Sequence, residues 1–90
     1  MGRAVPYYGT MAKHEDTLDQ IRRLNPGLHW KKVEAYLKHL GGEVYEGSGS
    51  TVTFVFKGRK LTVDRPHPRR ECGIGLVKRV RSFLESIEHL

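Results

Sequence analysis

The ninety residues hold a single cysteine, Cys72, a single tryptophan, four prolines and no long apolar run. The lone cysteine excludes an internal disulfide framework and a cysteine-rich zinc site, and reads as a small semi-buried residue. No stretch approaches the ~20 apolar residues that cross a bilayer. The opening MGRAVPYYGTMAKHED also lacks the hydrophobic segment of a secretory signal, so a soluble, cytoplasmic protein with no membrane partner is expected. Acidic residues are scarce: 10 Asp and Glu face 16 Lys and Arg, a formal charge of +6. A chain of this length buries only roughly 60% of the surface it exposes when unfolded. That leaves room for one thin core and none for a deep substrate cavity, so the chemistry belongs on the surface.

The excess charge is concentrated. Between residues 57 and 81 stand nine basic residues (Lys57, Arg59, Lys60, Arg65, Arg69, Arg70, Lys78, Arg79 and Arg81) against Asp64 and Glu71, a balance of +7. The other 65 residues hold seven basic and eight acidic residues. Segregation of this kind is the footprint of a face that binds a polyanion, with nucleic acid the commonest such ligand. Solubility alone does not require the two signs to be separated.

Residues 1–13 show no periodicity, carry Pro6 and Gly9 and exposed-looking Tyr7 and Tyr8, and are expected to form a flexible arm ahead of a single domain at 14–90, with its core at 29–90. Thr17 and Gln20 resemble a capping box for a short helix carrying Leu18, Ile21 and Leu24, stopped by Asn25-Pro26-Gly27. A second helix starts near His29 or Trp30, places Trp30, Val33, Tyr36, Leu37 and Leu40 on one stripe, and ends at Gly41-Gly42. Its other face, with Lys31, Lys32, Glu34 and Lys38, is expected to be wet.

After Gly42 the period drops from 3.6 to 2. Val44 and Tyr45 open a short strand. Val52, Phe54 and Phe56 then alternate with polar neighbours, Gly58-Arg59 is expected to make a hairpin turn, and Leu61 and Val63 continue the alternation. The loop Arg65-Pro66-His67-Pro68-Arg69-Arg70 is stiffened by its prolines. A last helix from about Ile74 to His89 carries Leu76, Val77, Val80, Phe83, Leu84 and Ile87 on one stripe. The fold class expected is α+β: an α-β-β-β-α order, with helices on one face of a three-stranded antiparallel sheet and an extra N-terminal helix. Double-stranded-RNA-binding domains share that order.

Over roughly residues 30–90 the chain resembles the HicA toxins, small RNA-cleaving partners of HicB antitoxins. The resemblance rests on an amphipathic helix ending at Leu40-Gly41-Gly42, the turn Glu46-Gly47-Ser48-Gly49-Ser50 leading into Thr51-Val52-Thr53-Phe54, the hairpin at Gly58, the Arg65-Pro66-His67-Pro68 loop, and Gly75-Leu76-Val77-Lys78 in the last helix. It implies a double-stranded-RNA-binding-like fold, mRNA as substrate, endoribonuclease (mRNA interferase) activity and a HicB-like antitoxin as partner. In that family's usual pattern a histidine taken as catalytic directly follows Gly-Ser at the start of the middle strand. Aligning Phe54 with the family's aromatic residue puts Thr51 at that position, and the register starting from Gly47-Ser48 puts Gly49 there. Neither side chain takes up a proton at neutral pH.

Metal-independent RNA cleavage needs a base near the ribose 2′-hydroxyl, cationic or amide donors for the phosphorane charge, and an acid for the leaving oxygen. No metal or cofactor is expected. Histidine suits the proton-transfer roles, and His67, between two prolines and beside Arg65, Arg69 and Arg70, is the catalytic candidate. His14, His29, His39 and His89 read as arm, helix-start or surface residues. The expected RNA-binding residues are Arg65, Arg69, Arg70, Lys78, Arg79 and Arg81 around the loop and following helix, Lys57, Arg59 and Lys60 at the hairpin, and Ser48, Ser50 and Thr51 in the glycine-serine turn. Two readings compete with a nuclease on the same fold: a non-catalytic RNA-binding module, and a basic protein that docks an acidic antitoxin-like partner. Phe54, Phe56 and Phe83 fall on core stripes and supply no base-stacking platform.

Overall fold

The computed structural model describes the backbone from residue 4 and the side chains from residue 13. In chain order come α1 (Ala4–Arg22), α2 (Trp30–His39), β1 (Glu43–Glu46), β2 (Thr51–Phe56), β3 (Arg59–Asp64) and α3 (Gly73–Ser86). The α+β class and the three-stranded antiparallel sheet are as the periodicities predict, with strand order β1-β2-β3.

Four boundaries differ from the sequence expectation. The first helix begins at Ala4, so the stretch expected as an arm is helical from that residue on; residues 1–3 and the Tyr7 and Tyr8 side chains lie outside the described parts. Pro6 does not prevent this, because it falls in the first turn, where its missing N–H has no helical partner to lose. Thr17 therefore caps nothing: it is buried inside α1, and its hydroxyl donates to the Lys13 carbonyl at 3.0 Å. The hairpin turn is Lys57-Gly58 rather than Gly58-Arg59, since Phe56 pairs with Arg59 and both turn residues have positive φ, 52° and 75°. That is the mirror-image two-residue turn whose twist matches the strands. Finally, α3 starts one residue early and ends at Ser86, with Glu88 at a φ of 59° closing the chain reversal.

Strand register decides which face is oily. Val44 pairs with Phe54 and Phe54 with Leu61, while Glu46 pairs with Val52 and Val52 with Val63. Val52, Phe54, Leu61 and Val63 are buried against Trp30, Val33, Leu37, Val77, Val80 and Phe83. The Trp30 and Phe54 rings meet at 5.9 Å, tilted by 57°. Phe54 is 1% exposed, and burial of such a side chain contributes about 1.5–3 kcal/mol. Phe56, expected in this core, is only partly buried at its margin. Helix α1 joins through Ile21, with Leu18 and Leu24 beside it, and packs on both α2 and α3. The other sheet face stays open: Tyr45, Thr53 and Thr62 form one row, with the two threonine hydroxyls 2.9 Å apart.

Candidate functional site

The segment that leaves β3 is fixed at both ends. At its start, Arg65 spreads its guanidinium across two carboxylates. Its Nη1 and Nη2 donate to Glu46 at 2.7 and 2.9 Å, and its Nε and Nη2 donate to Glu34 at 3.2 Å each. Glu34 also accepts the Trp30 indole N–H at 2.8 Å and lies 3.4 Å from the Lys38 ammonium. Burial by itself would raise the Glu34 carboxyl, but the hydrogen bonds from Arg65 and Trp30 and the Arg65 charge hold it below the usual carboxylate value. Glu46 is held low chiefly by its bond to Arg65, and the Arg65 guanidinium is raised in turn.

At the far end, residues 70–73 run beside the connector between α1 and α2. The Trp30 amide donates to the Arg70 carbonyl at 2.8 Å, the Cys72 amide to Leu28 at 2.8 Å and the Gly73 amide to Pro26 at 2.9 Å. The His29 imidazole lies 3.7 Å from the Glu71 carboxylate. Cys72 is half-buried, and burial pushes its thiol up to about 11, so it is not a reactive thiolate at neutral pH. Between these two anchorages, Pro66, His67, Pro68 and Arg69 form a short bridge, with a cis peptide joining His67 to Pro68.

The bridge has a hollow on each side. One is an open cleft of about 770 Å³, with His67, Arg69 and Glu71 facing Pro26 and Gly27. The other, about 220 Å³, lies toward the start of α2, between Arg65, Arg69 and Arg70 and the residues His29, Trp30 and Lys31. Pro66, Pro68 and Arg69 line both.

The structure brings together only some of the residues expected to contact RNA. His67, Arg69 and Arg70 are exposed, and among the described residues their side chains make no hydrogen bond or ion pair within the protein. Ser50 lies next to this loop, because the Arg65 amide donates to the Ser50 carbonyl at 3.0 Å. Its turn is closed by the Gly47 amide on the Thr51 carbonyl at 2.9 Å and the Thr51 amide on the Ser48 carbonyl at 3.2 Å. The Thr51 hydroxyl donates to Asp64 at 2.9 Å, which places a carboxylate at this end of the sheet. Arg65 is engaged by the two glutamates. Arg79 donates to the Thr62 carbonyl at 2.8 Å, and Arg81 donates to the Arg22 carbonyl at 3.2 Å and lies 3.4 Å from Glu85. Lys78 is exposed on α3. Lys57, over the Phe56 ring at 5.5 Å, sits with Arg59 and Lys60 at the hairpin, one strand length or about 17 Å from the loop.

Sequence reasoning missed the braces and one wall of the site. Glu34 was expected on a wet face, yet its side chain is only 18% exposed beneath Arg65. Nothing in the helical period marks it, because the partner lies 31 residues away. Pro26, Gly27, His29 and Lys31 become cleft walls only through the backbone bonds to residues 70–73.

A second cluster occupies the other end of α2. The His14 and His39 rings stack at 4.1 Å and 14°, and the Tyr36 hydroxyl hydrogen-bonds the His89 Nε2. With Leu18 and Leu40 they line a hollow of about 200 Å³. Among the described residues, no group of three or more His, Cys, Asp or Glu could hold a metal ion, and no helix is long and apolar enough to cross a membrane.

A family model described as HicA toxin of bacterial toxin-antitoxin matches residues 30–88. No curated protein and no solved structure matches the chain.

Proposed function

The chain belongs to the HicA toxin family, the toxin half of a toxin-antitoxin pair, and from that premise we propose that it is a cytoplasmic, metal-independent endoribonuclease acting on mRNA, with its proton transfer at His67. One observation carries the reading: an exposed imidazole stands in a cleft with Arg69, on a bridge braced at both ends. A bridge held in this way supports the reading, because catalysis gains from donors fixed in place before the substrate arrives. Thr51, which the family resemblance aligns with the usual histidine, has its hydroxyl on Asp64 and offers no base.

In this reading the neutral His67 imidazole takes the 2′-hydroxyl proton. The 2′-oxygen attacks phosphorus, and the bond from phosphorus to the 5′-oxygen breaks. The resulting imidazolium returns its proton to that leaving oxygen, giving a 2′,3′-cyclic phosphate and a free 5′-hydroxyl. Arg69 offsets the charge on the phosphorane oxygens, and Arg70 contacts the RNA beside it from the smaller hollow. Lys57, Arg59 and Lys60 contact the backbone about 17 Å away, and Lys78 adds charge from α3. Arg65, Arg79 and Arg81 act chiefly by holding the loop, β3 and α1 in place, while Ser48 and Ser50 offer hydroxyls beside the phosphate path. The natural partner is a HicB-like antitoxin carrying an acidic surface that competes with RNA for the same cations.

The test is cleavage of single-stranded RNA without divalent metal by wild type and His67→Ala. Wild type is expected to cleave, and the variant to lose about 10²–10⁴-fold in rate with its fold unchanged. Equal rates would remove His67 from the chemistry. Binding without cleavage by well-folded wild type would leave a non-catalytic RNA-binding module.

A further inference from the structure

The smaller hollow beside the proline bridge is not required by proton transfer at His67, and part of its wall comes from residues that family resemblance does not single out. Chemistry through a 2′-hydroxyl has a geometric demand: attacking oxygen, phosphorus and leaving oxygen must lie in line. A stacked A-form strand holds them far from that arrangement. One nucleotide beside the cut must therefore leave the stack, and the displaced base and phosphate need somewhere to go.

We propose that the hollow between the start of α2 and residues 65–70 is a subsite for one unpaired nucleotide adjacent to the scissile phosphate, with Lys31 and Arg70 holding its phosphate and the His29 imidazole and the Pro66 and Pro68 rings bordering its base. This deepens the nuclease reading and rests on it for the word scissile. The hollow shares Pro66, Pro68 and Arg69 with the His67 cleft, so a strand crossing the bridge presents consecutive nucleotides to the two sides. Its volume of about 220 Å³ is small against the 770 Å³ of the open cleft. Lys31, Arg69 and Arg70 are exposed, and the His29 side chain is 51% exposed, so its cations and imidazole are accessible. The backbone bonds from Trp30 to Arg70 and from Cys72 to Leu28 fix the two walls relative to each other, so little ordering is left for the ligand to drive.

The protein carries its own reporter. Trp30 is the only tryptophan and, though only 5% exposed, borders this hollow, so a ligand seated there is expected to change its emission. The probes are a nucleoside 3′-monophosphate, a non-cleavable 2′-deoxy pentanucleotide, the same sequence as a duplex, and inorganic phosphate. Both single-stranded ligands should quench Trp30. Lys31→Ala and Arg70→Ala should weaken the quenching ligands roughly tenfold, the worth of one charged hydrogen bond. Lys32→Ala removes the same charge one residue away; Lys31 and Lys32 both border the groove toward α1, but only Lys31 also lines this hollow, so Lys32→Ala should change nothing. Equal weakening by Lys31→Ala and Lys32→Ala would overturn the subsite, as would quenching by the duplex equal to that by the single strand. Equal quenching by inorganic phosphate would show an anion site only and would overturn it too. RNA cleavage is read separately: cleavage without Trp30 quenching sinks this subsite and spares the nuclease, and quenching without cleavage does the reverse.

Discussion

The two ends of α2 use similar residue types in opposite ways. At its N-terminal end, Lys31 and the arginines of the proline bridge are exposed and solvated, and the groups that position them are charged pairs and backbone bonds. At its C-terminal end, about 15 Å along the helix axis, the titratable groups are packed against one another. Burial and then the neighbouring His39 hold the His14 imidazole below its usual value. Burial, then Lys57 and Arg22, do the same for His89, and burial raises the Tyr36 phenol. On the proposed reading, the cations that meet RNA are left exposed to water. The polar groups between the helices, His14, Tyr36 and His89, are partly or wholly withdrawn from water, and that burial disfavours their charged forms. The same helix therefore presents an exposed cationic end, the proposed binding end, and a packed adhesive end.

The strongest way to break this contrast is Glu34→Ala. It strips the buried acceptor from the Trp30 indole and one of the two carboxylates from Arg65. We expect a loss of roughly 1–3 kcal/mol in denaturant unfolding, together with faster hydrogen exchange at the Trp30 and Cys72 amides and weaker binding of single-stranded ligands. An effect on stability without any effect on binding would show that the brace does not position the cations.

At the other end, Tyr36→Phe removes the hydroxyl that bonds His89. It should cost about 1 kcal/mol and leave RNA affinity and cleavage unaltered. A change in either would end the separation of the two roles.

The smallest effect is in pH dependence. His14 and His89 have folded values below the unfolded imidazole value of about 6.5. Below that value the unfolded chain takes up protons that the folded chain resists. The stabilisation is complete above about pH 6.5 and declines as the pH falls below it. Urea unfolding measured from pH 8 to 5 should show this loss, and His14→Gln should flatten part of it. An unchanged slope in the variant would mean that the His14 and His39 stack bears no load.

Much of this was legible in the sequence. The alternation of Val52, Phe54, Leu61 and Val63 gave the oily sheet face, the stripe through Val33, Tyr36 and Leu37 gave α2, and Gly41, with a φ of 101°, marked its end. These are short-range patterns, repeated often enough to stand above noise. Charge counting gave the cations crowded along residues 57–81 but not their placement: Arg69 and Arg70 stand exposed beside His67, while Arg65, Arg79 and Arg81 are engaged within the protein. What was hidden depends on long-range pairing. Glu34 looked solvated until Arg65 folded over it, and His14, His39 and His89 come from three separate parts of the chain. The Thr17 and Gln20 pair misled because the hydroxyl had a nearer acceptor four residues back.

The matched family segment begins at residue 30, whereas Pro26 and Gly27 form part of the opposing lip of the large cleft and His29 part of the wall of the smaller hollow. On the proposed reading, the determinants of folding and those of ligand choice are thus partly uncoupled along the chain. Four connector positions, contributing only Leu28 to the core, work as an exchangeable jaw: recutting Pro26, Gly27 and His29 would alter what the mouth admits while the sheet, its helices and the imidazole inside stay as they are.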